Sequence, residues 1–332
     1  MNTDLSVVGD ISQKYDNRAQ GELISSHRIA LDKNSKLKVI HPSDYSIESK
    51  GSSSYILVGD SMGVGSKCGN DKNISGCLRN LSNKHIVNLS ESGVTPATYL
   101  TKTSKYINSQ RKLNSQIKGG EVIFVVLTAN DILYDKEKCN YYFTNEANLN
   151  KLTTLEKDVI SKSCHQIMSK PWVNISNKDK ALGFKSITKT IIGNNSARVL
   201  QGGIGSVALA LDLPTKGRSS YAKKWRTTSP ELKLNALILA DMNKFCVSQN
   251  CKIIFTFFPN VEDINSNSKF YQAVTFFNLY MEKEFAITIH NGYSPFLEKG
   301  IRKATYSLSD AHGSCDAYNI YASWLINLAN DT

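Results

Sequence analysis

The chain has no uninterrupted run of eighteen apolar residues, so no membrane-crossing helix is expected. Its first ten residues, MNTDLSVVGD, lack the basic stretch and apolar core of a secretory leader. If a leader or anchor has been removed, the cell envelope, periplasm or secretion is the expected location; otherwise it is the cytoplasm. No CxxC pair occurs, which removes the common zinc-ligand spacing, and no metal is expected. Gly202-Gly203-Ile204-Gly205 matches neither GxGxxG nor a P-loop, because no GK[ST] follows. That run is read as a turn, and no cofactor is expected.

What is present is ordinary in bulk: 332 residues, 41% hydrophobic and 21% charged, enough for one large domain with a sizeable insertion. Seven cysteines leave two readings open. Cys68 with Cys77, Cys139 with Cys164 and Cys246 with Cys251 bracket short segments and would leave Cys315 alone; equally, all seven can be reduced, partly buried thiols. The net charge of +11 is concentrated. Residues 161–230 hold twelve Lys or Arg against two Asp, a local net of +10. Such a stripe attracts polyanions, although a charge run alone is more often a solvated face.

Residues 1–50, with seven acids and seven bases, are read as an irregular lead-in. Four apolar runs follow as buried strands: Tyr55–Gly59, His85–Leu89, Val122–Leu127 and Cys251–Phe258. The unbroken β-branched character of the third suits a parallel strand covered on both faces. Phe285–Ile289 is a weaker fifth. Ser229-Pro230-Glu231 reads as an N-cap with proline at the first helical position. Behind it Leu232, Ala236, Leu239, Met242 and Cys246 line one helical face, and Ala317, Tyr321, Trp324, Leu325 and Leu328 repeat the pattern near the end. Strands alternating with helices predict a parallel α/β sheet. Residues 135–228 exceed what a crossover needs and are read as a basic, partly helical insertion, a lid or substrate platform within a domain spanning 51–332.

The chemistry concentrates at the strand ends. Val58-Gly59-Asp60-Ser61-Met62 places a hydroxyl where α/β sheets bind ligands. The second strand leads into Asn88–Gly93 (NLSESG), the third into Thr128-Ala129-Asn130-Asp131, and Asp310-Ala311-His312 precedes the last helix. In these four blocks the chain resembles the SGNH/GDSL hydrolase family, over Tyr55–Asp131 and roughly Leu232–Asn330. The resemblance implies a three-layer α/β/α sandwich with a flavodoxin-like parallel sheet of about five strands. It implies Ser61 as nucleophile and His312 as base, with an oxyanion hole from Ser61, Gly93 and Asn130. Two departures stand out. Thr128 replaces the glycine that usually opens the third block, and Ser309 stands where the triad acid is usual, three residues before the histidine. Asp310 then either reaches His312 as the third catalytic member, or the pair works as a dyad, or activity has been lost.

The resemblance implies a carboxylic-ester hydrolase or acyltransferase, with an O-acetylated carbohydrate as substrate, an acidic polysaccharide being suited to the basic stripe. No nucleic-acid partner is expected. Trp172 and Trp225 are candidates for stacking on sugar rings, or for a small core within the insertion. Two rivals remain: a lipase- or thioesterase-type hydrolase, for which residues 199–213 (VLQGGIGSVALALDL) leave room, and a catalytically silent glycan-binding module. Asp60 and Asp131 are read as structural residues.

Overall fold

The computed structural model describes residues 6–10, 28–31, 37–40, 55–65, 68, 72–82, 84–91, 93–113, 119–169, 224–225, 228–259, 269–298 and 313–331, the first three stretches as backbone. Those three are strands: β1 (Ser6–Asp10), β2 (Arg28–Leu31) and β3 (Leu37–Ile40), joined as an antiparallel sheet in the order β1-β2-β3. The expectation of an irregular lead-in is corrected there. Leu37-Lys38-Val39-Ile40 has only four residues, too few to show a period in sequence.

The main sheet has five strands, all parallel: β4 (Tyr55–Gly59), β5 (Ile86–Asn88), β6 (Val122–Leu127), β7 (Lys252–Phe257) and β8 (Ile289–His290). Their lateral order is β5-β4-β6-β7-β8. Counted within this sheet, that is the doubly wound order 2-1-3-4-5, which opens a crevice at the carboxyl ends of its first and third strands. The fifth strand differs from expectation. Phe285 closes a helix, and the strand is only Ile289–His290.

Alternation within each strand feeds two cores. Ile56, Val58, Ile123, Val125, Leu127, Phe255 and Phe257 enter one cluster with helices α3 (Pro96–Leu113), α6 (Pro230–Ser248) and α7 (Lys269–Phe285). Tyr55, Leu57, Phe124, Val126 and Ile254 enter the other with α2 (Ile74–Ser82), α8 (Ser294–Glu298) and α9 (Cys315–Asp331). Both faces of the sheet are therefore covered, which is why its strands read as continuous apolar runs.

Helix α6 begins as its sequence predicts: Ser229 Oγ accepts from the Leu232 N–H, and Pro230 fills the first helical position, where an N–H would have no helical partner. Its predicted face is buried on the sheet. The opposite face is buried too, because Leu234, Leu237 and Ile238 pack on α4 (Lys136–Thr144) and α5 (Thr154–Met168) through Tyr141, Ile160, Cys139 and Cys164. The described first part of the expected insertion is thus a helical pair seated on the outer face of α6. The Gly202–Gly205 run and nearly all of the basic stripe lie outside the described residues.

Three disulfides form: Cys68–Cys315, Cys139–Cys164 and Cys246–Cys251. Two of the bracketing pairs hold, but Cys68 bonds Cys315 and leaves Cys77 as a buried free thiol, its pKa pushed up by burial. No helix among the described residues is long and apolar enough to cross a membrane.

Candidate active site

At the carboxyl end of β4 the chain turns into a single helical turn, α1 (Ser61–Val64). Asp60 caps it, its Oδ1 accepting from the Met62 N–H at 2.9 Å, and Gly65 ends it with φ of 66°. A left-handed residue there is natural for glycine, which has no Cβ to clash. Ser61 is the first residue of the turn and half-buried. Directly behind it Gly63 lies against Ser90; a Cβ at Gly63 would fall 2.3 Å from the Ser90 hydroxyl. Only a residue without a side chain lets the turn approach β5 so closely.

Asn88, the last residue of β5, ties that loop to the turn. Its amide donates to the Gly63 carbonyl at 3.0 Å, and its Oδ1 accepts from the Ser90 N–H at 3.0 Å. The Glu91 N–H donates to the Gly59 carbonyl at 3.1 Å. Two residues on, Gly93 is exposed, with φ of 76°. A Cβ there would meet nothing within 4 Å, so glycine answers to backbone conformation at this position and not to crowding.

The third loop reaches the same place. After β6, residues Ala129–Ile132 form a short 3₁₀ turn. Asn130 donates its amide to Asp60 Oδ2 at 2.9 Å, and Thr128 Oγ1 lies 2.6 Å from Asn130 Oδ1 and 3.1 Å from Asp60 Oδ2. Asp60, fully buried, thus caps the Ser61 turn with one oxygen and holds the third loop with the other. That structural role matches the sequence reading of Asp60; its second contact spans 70 residues and has no local sequence signal.

Several buried side chains fix the Asn130 turn from below. Asp131 Oδ2 accepts from the Thr128 N–H at 2.8 Å, and Tyr99 donates its hydroxyl to Asp131 Oδ1 at 2.7 Å. Burial, and then the negative charge of Asp60, hold the Asp131 carboxyl well above the usual range. Lys138 is completely buried, its Nζ donating to the carbonyls of Asp131 at 2.7 Å and Leu133 at 2.6 Å. Burial pushes its pKa down to about 8, against the pull of Asp135, Asp131 and Glu231 and with a further push from Lys224. Asn235 of α6 donates to the Asp131 carbonyl at 3.0 Å, and the Trp225 indole N–H to the Ala129 carbonyl at 2.8 Å.

No family model matches the chain, and no curated protein matches it either.

Trp225 is therefore no sugar platform. It is fully buried, edge-on to Phe257 and Phe277, and leaves no ring face for a ligand. Its N–H needs an acceptor once desolvated, and the carbonyl of the Asn130 turn supplies one. Nor does it build a separate core for the insertion; it belongs to the sheet's own. Trp172, Ser309, Asp310 and His312 lie outside the described residues. Gly313, which follows His312, is described and buried, and the Tyr318 ring lies beside it. A Cβ at Gly313 would fall 2.9 Å from Tyr318 Cε1; one at Gly65, the end of the Ser61 turn, would fall 3.5 Å from Cε2 of the same ring. Among the described residues no group of three or more His, Cys, Asp or Glu could hold a metal ion.

Proposed function

We propose that the protein is a serine esterase of the SGNH/GDSL type, its sheet and helices forming that family's three-layer sandwich, and that it removes or transfers O-acetyl groups on a carbohydrate. The single observation carrying this reading is the bond from Asn130 to Asp60. It joins the residue beside the hydroxyl to the amide of a remote loop at the crevice end of the sheet. An amide has two N–H groups; with one held by Asp60, the other can donate to an oxyanion.

In the proposed mechanism His312 takes the Ser61 proton as Oγ attacks the ester carbonyl carbon. The N–H groups of Ser61 and Gly93 and the free amide hydrogen of Asn130 stabilise the tetrahedral oxyanion. Collapse breaks the ester C–O bond, and His312 returns the proton to the leaving sugar hydroxyl. Water, or a second hydroxyl in a transferase, then attacks acyl-Ser61 by the same route. Asp310 orients His312 in this scheme. The Cys68–Cys315 bond supports the assembly, because Cys315 stands three residues after His312 and three residues of chain span at most about 11 Å. Three disulfides also favour an oxidising location, the envelope or outside the cell.

The test is hydrolysis of p-nitrophenyl acetate, with acetate release from a panel of O-acetylated glycans to name the substrate. Ser61→Ala should abolish both. Equal rates in the variant and the parent would remove the esterase reading.

A further inference from the structure

We propose that Thr128 is a positioning residue whose hydroxyl locks the Asn130 side-chain amide in the one orientation that points its free N–H at the oxyanion; this rests on the esterase reading above. An asparagine side chain is nearly symmetric in shape, and a half-turn about its last bond exchanges donor for acceptor. A site that needs a donor must therefore exclude the turned state. Here both ends of the amide are engaged. Nδ2 faces the carboxylate of Asp60, and Oδ1 faces the hydroxyl of Thr128.

The hydroxyl has one proton and two acceptors within reach. The 2.6 Å contact to Asn130 Oδ1 is the shorter, and the 3.1 Å contact to Asp60 Oδ2 takes the remainder of an unequal, shared bond. Turning the amide would set its carbonyl against the Asp60 carboxylate, acceptor against acceptor. Thr128 is itself immobilised: it is buried, and its backbone N–H donates to Asp131 Oδ2. The bulk that this residue adds where a glycine is usual thus goes into holding the amide, not into crowding it.

The experiment is steady-state hydrolysis of p-nitrophenyl acetate by the full chain and by Thr128→Val, Thr128→Ser, Asn130→Ala, Ser61→Ala and the double variant Thr128→Val/Asn130→Ala. Valine keeps the shape and removes the hydroxyl. Loss of one buried hydrogen bond of this kind should lower kcat roughly tenfold, with KM little changed. Thr128→Ser should restore the rate, and Thr128→Val should have no further effect once Asn130 is alanine. A full rate in Thr128→Val, or the same fractional loss in the Asn130→Ala background, overturns the assignment. Hydrolysis that survives Ser61→Ala, or is absent from the parent, instead fails the esterase reading and takes this proposal with it. Ser61-dependent hydrolysis indifferent to Thr128→Val fails the proposal alone.

Discussion

Cys68 is bonded to Cys315 across 247 positions of sequence, tying the segment after the Ser61 turn to the first residue of α9. The bond closes most of the chain into one loop. Its removal in Cys68→Ser/Cys315→Ser should cost about 2–4 kcal/mol of stability, since it restricts the unfolded ensemble. Urea unfolding of the two proteins measures this. Under the proposed esterase activity the double variant should also lose rate, because the start of α9 is released from the Ser61 turn.

Asp60 serves two loops, so its variants should separate two effects. Asp60→Ala removes the cap on the Ser61 turn and the acceptor for Asn130 together. A stability loss of about 0.5–2 kcal/mol is expected from the cap alone. In the proposed mechanism the rate should fall toward that of Asn130→Ala, for which loss of one oxyanion donor predicts a rate about 10²–10³ below the parent. Asp60→Asn has a single side-chain oxygen, so it can accept only one of the two bonds, and its kcat should fall between those of the parent and Asp60→Ala.

Lys138 predicts a pH dependence. Its folded pKa is about 8, below the 10.5 of an unfolded lysine, so between these values the unfolded chain holds more protons. Stability from this group is present above pH 10.5 and is lost as pH falls through 8. Neutral lysine keeps two N–H donors, enough for both carbonyls it bonds. The stability difference between parent and Lys138→Met should therefore move in the parent's favour by about 2 kcal/mol from pH 7.5 to pH 10. Denaturant midpoints at the two pH values give the result, and a constant difference would contradict it.

Trp225→Phe keeps the ring in the core but leaves the Ala129 carbonyl without its donor. An unsatisfied buried acceptor costs about 1–3 kcal/mol. Urea unfolding should show that loss, and kcat should drop with it as the Asn130 turn loosens.

Strands β4, β6 and β7 were legible because both their faces are buried, which writes each as a nearly unbroken apolar run, whereas β1, β2, β3 and the two-residue β8 were not. Helix α6 was legible from Ser229-Pro230 and a repeating face, although its burial against α4 and α5 was not. That second face needs partners 70 or more positions away. Ser61 and Asn130 were legible as residues at strand ends, where the fold brings loops together. The residues that hold them were not: Asp60's second contact, Lys138, Trp225 and Asn235 are polar groups satisfied by carbonyls or amides of remote segments, and nothing beside them in sequence announces the partner. The bracketing reading pairs Cys68 with the nearer Cys77, and spacing along the chain carries no information about the bond to Cys315 at the start of the last helix. The direction of the Thr128 hydroxyl was not legible either, because it depends on backbone geometry held by the bond from the Thr128 N–H to Asp131.

Among the described residues, the outermost members of the five-stranded sheet are its shortest, three residues in β5 and two in β8. Another molecule's backbone seeking to extend the sheet would find too few free donors and acceptors on either margin to fix a register. Lateral growth into fibrils from these two margins is accordingly disfavoured.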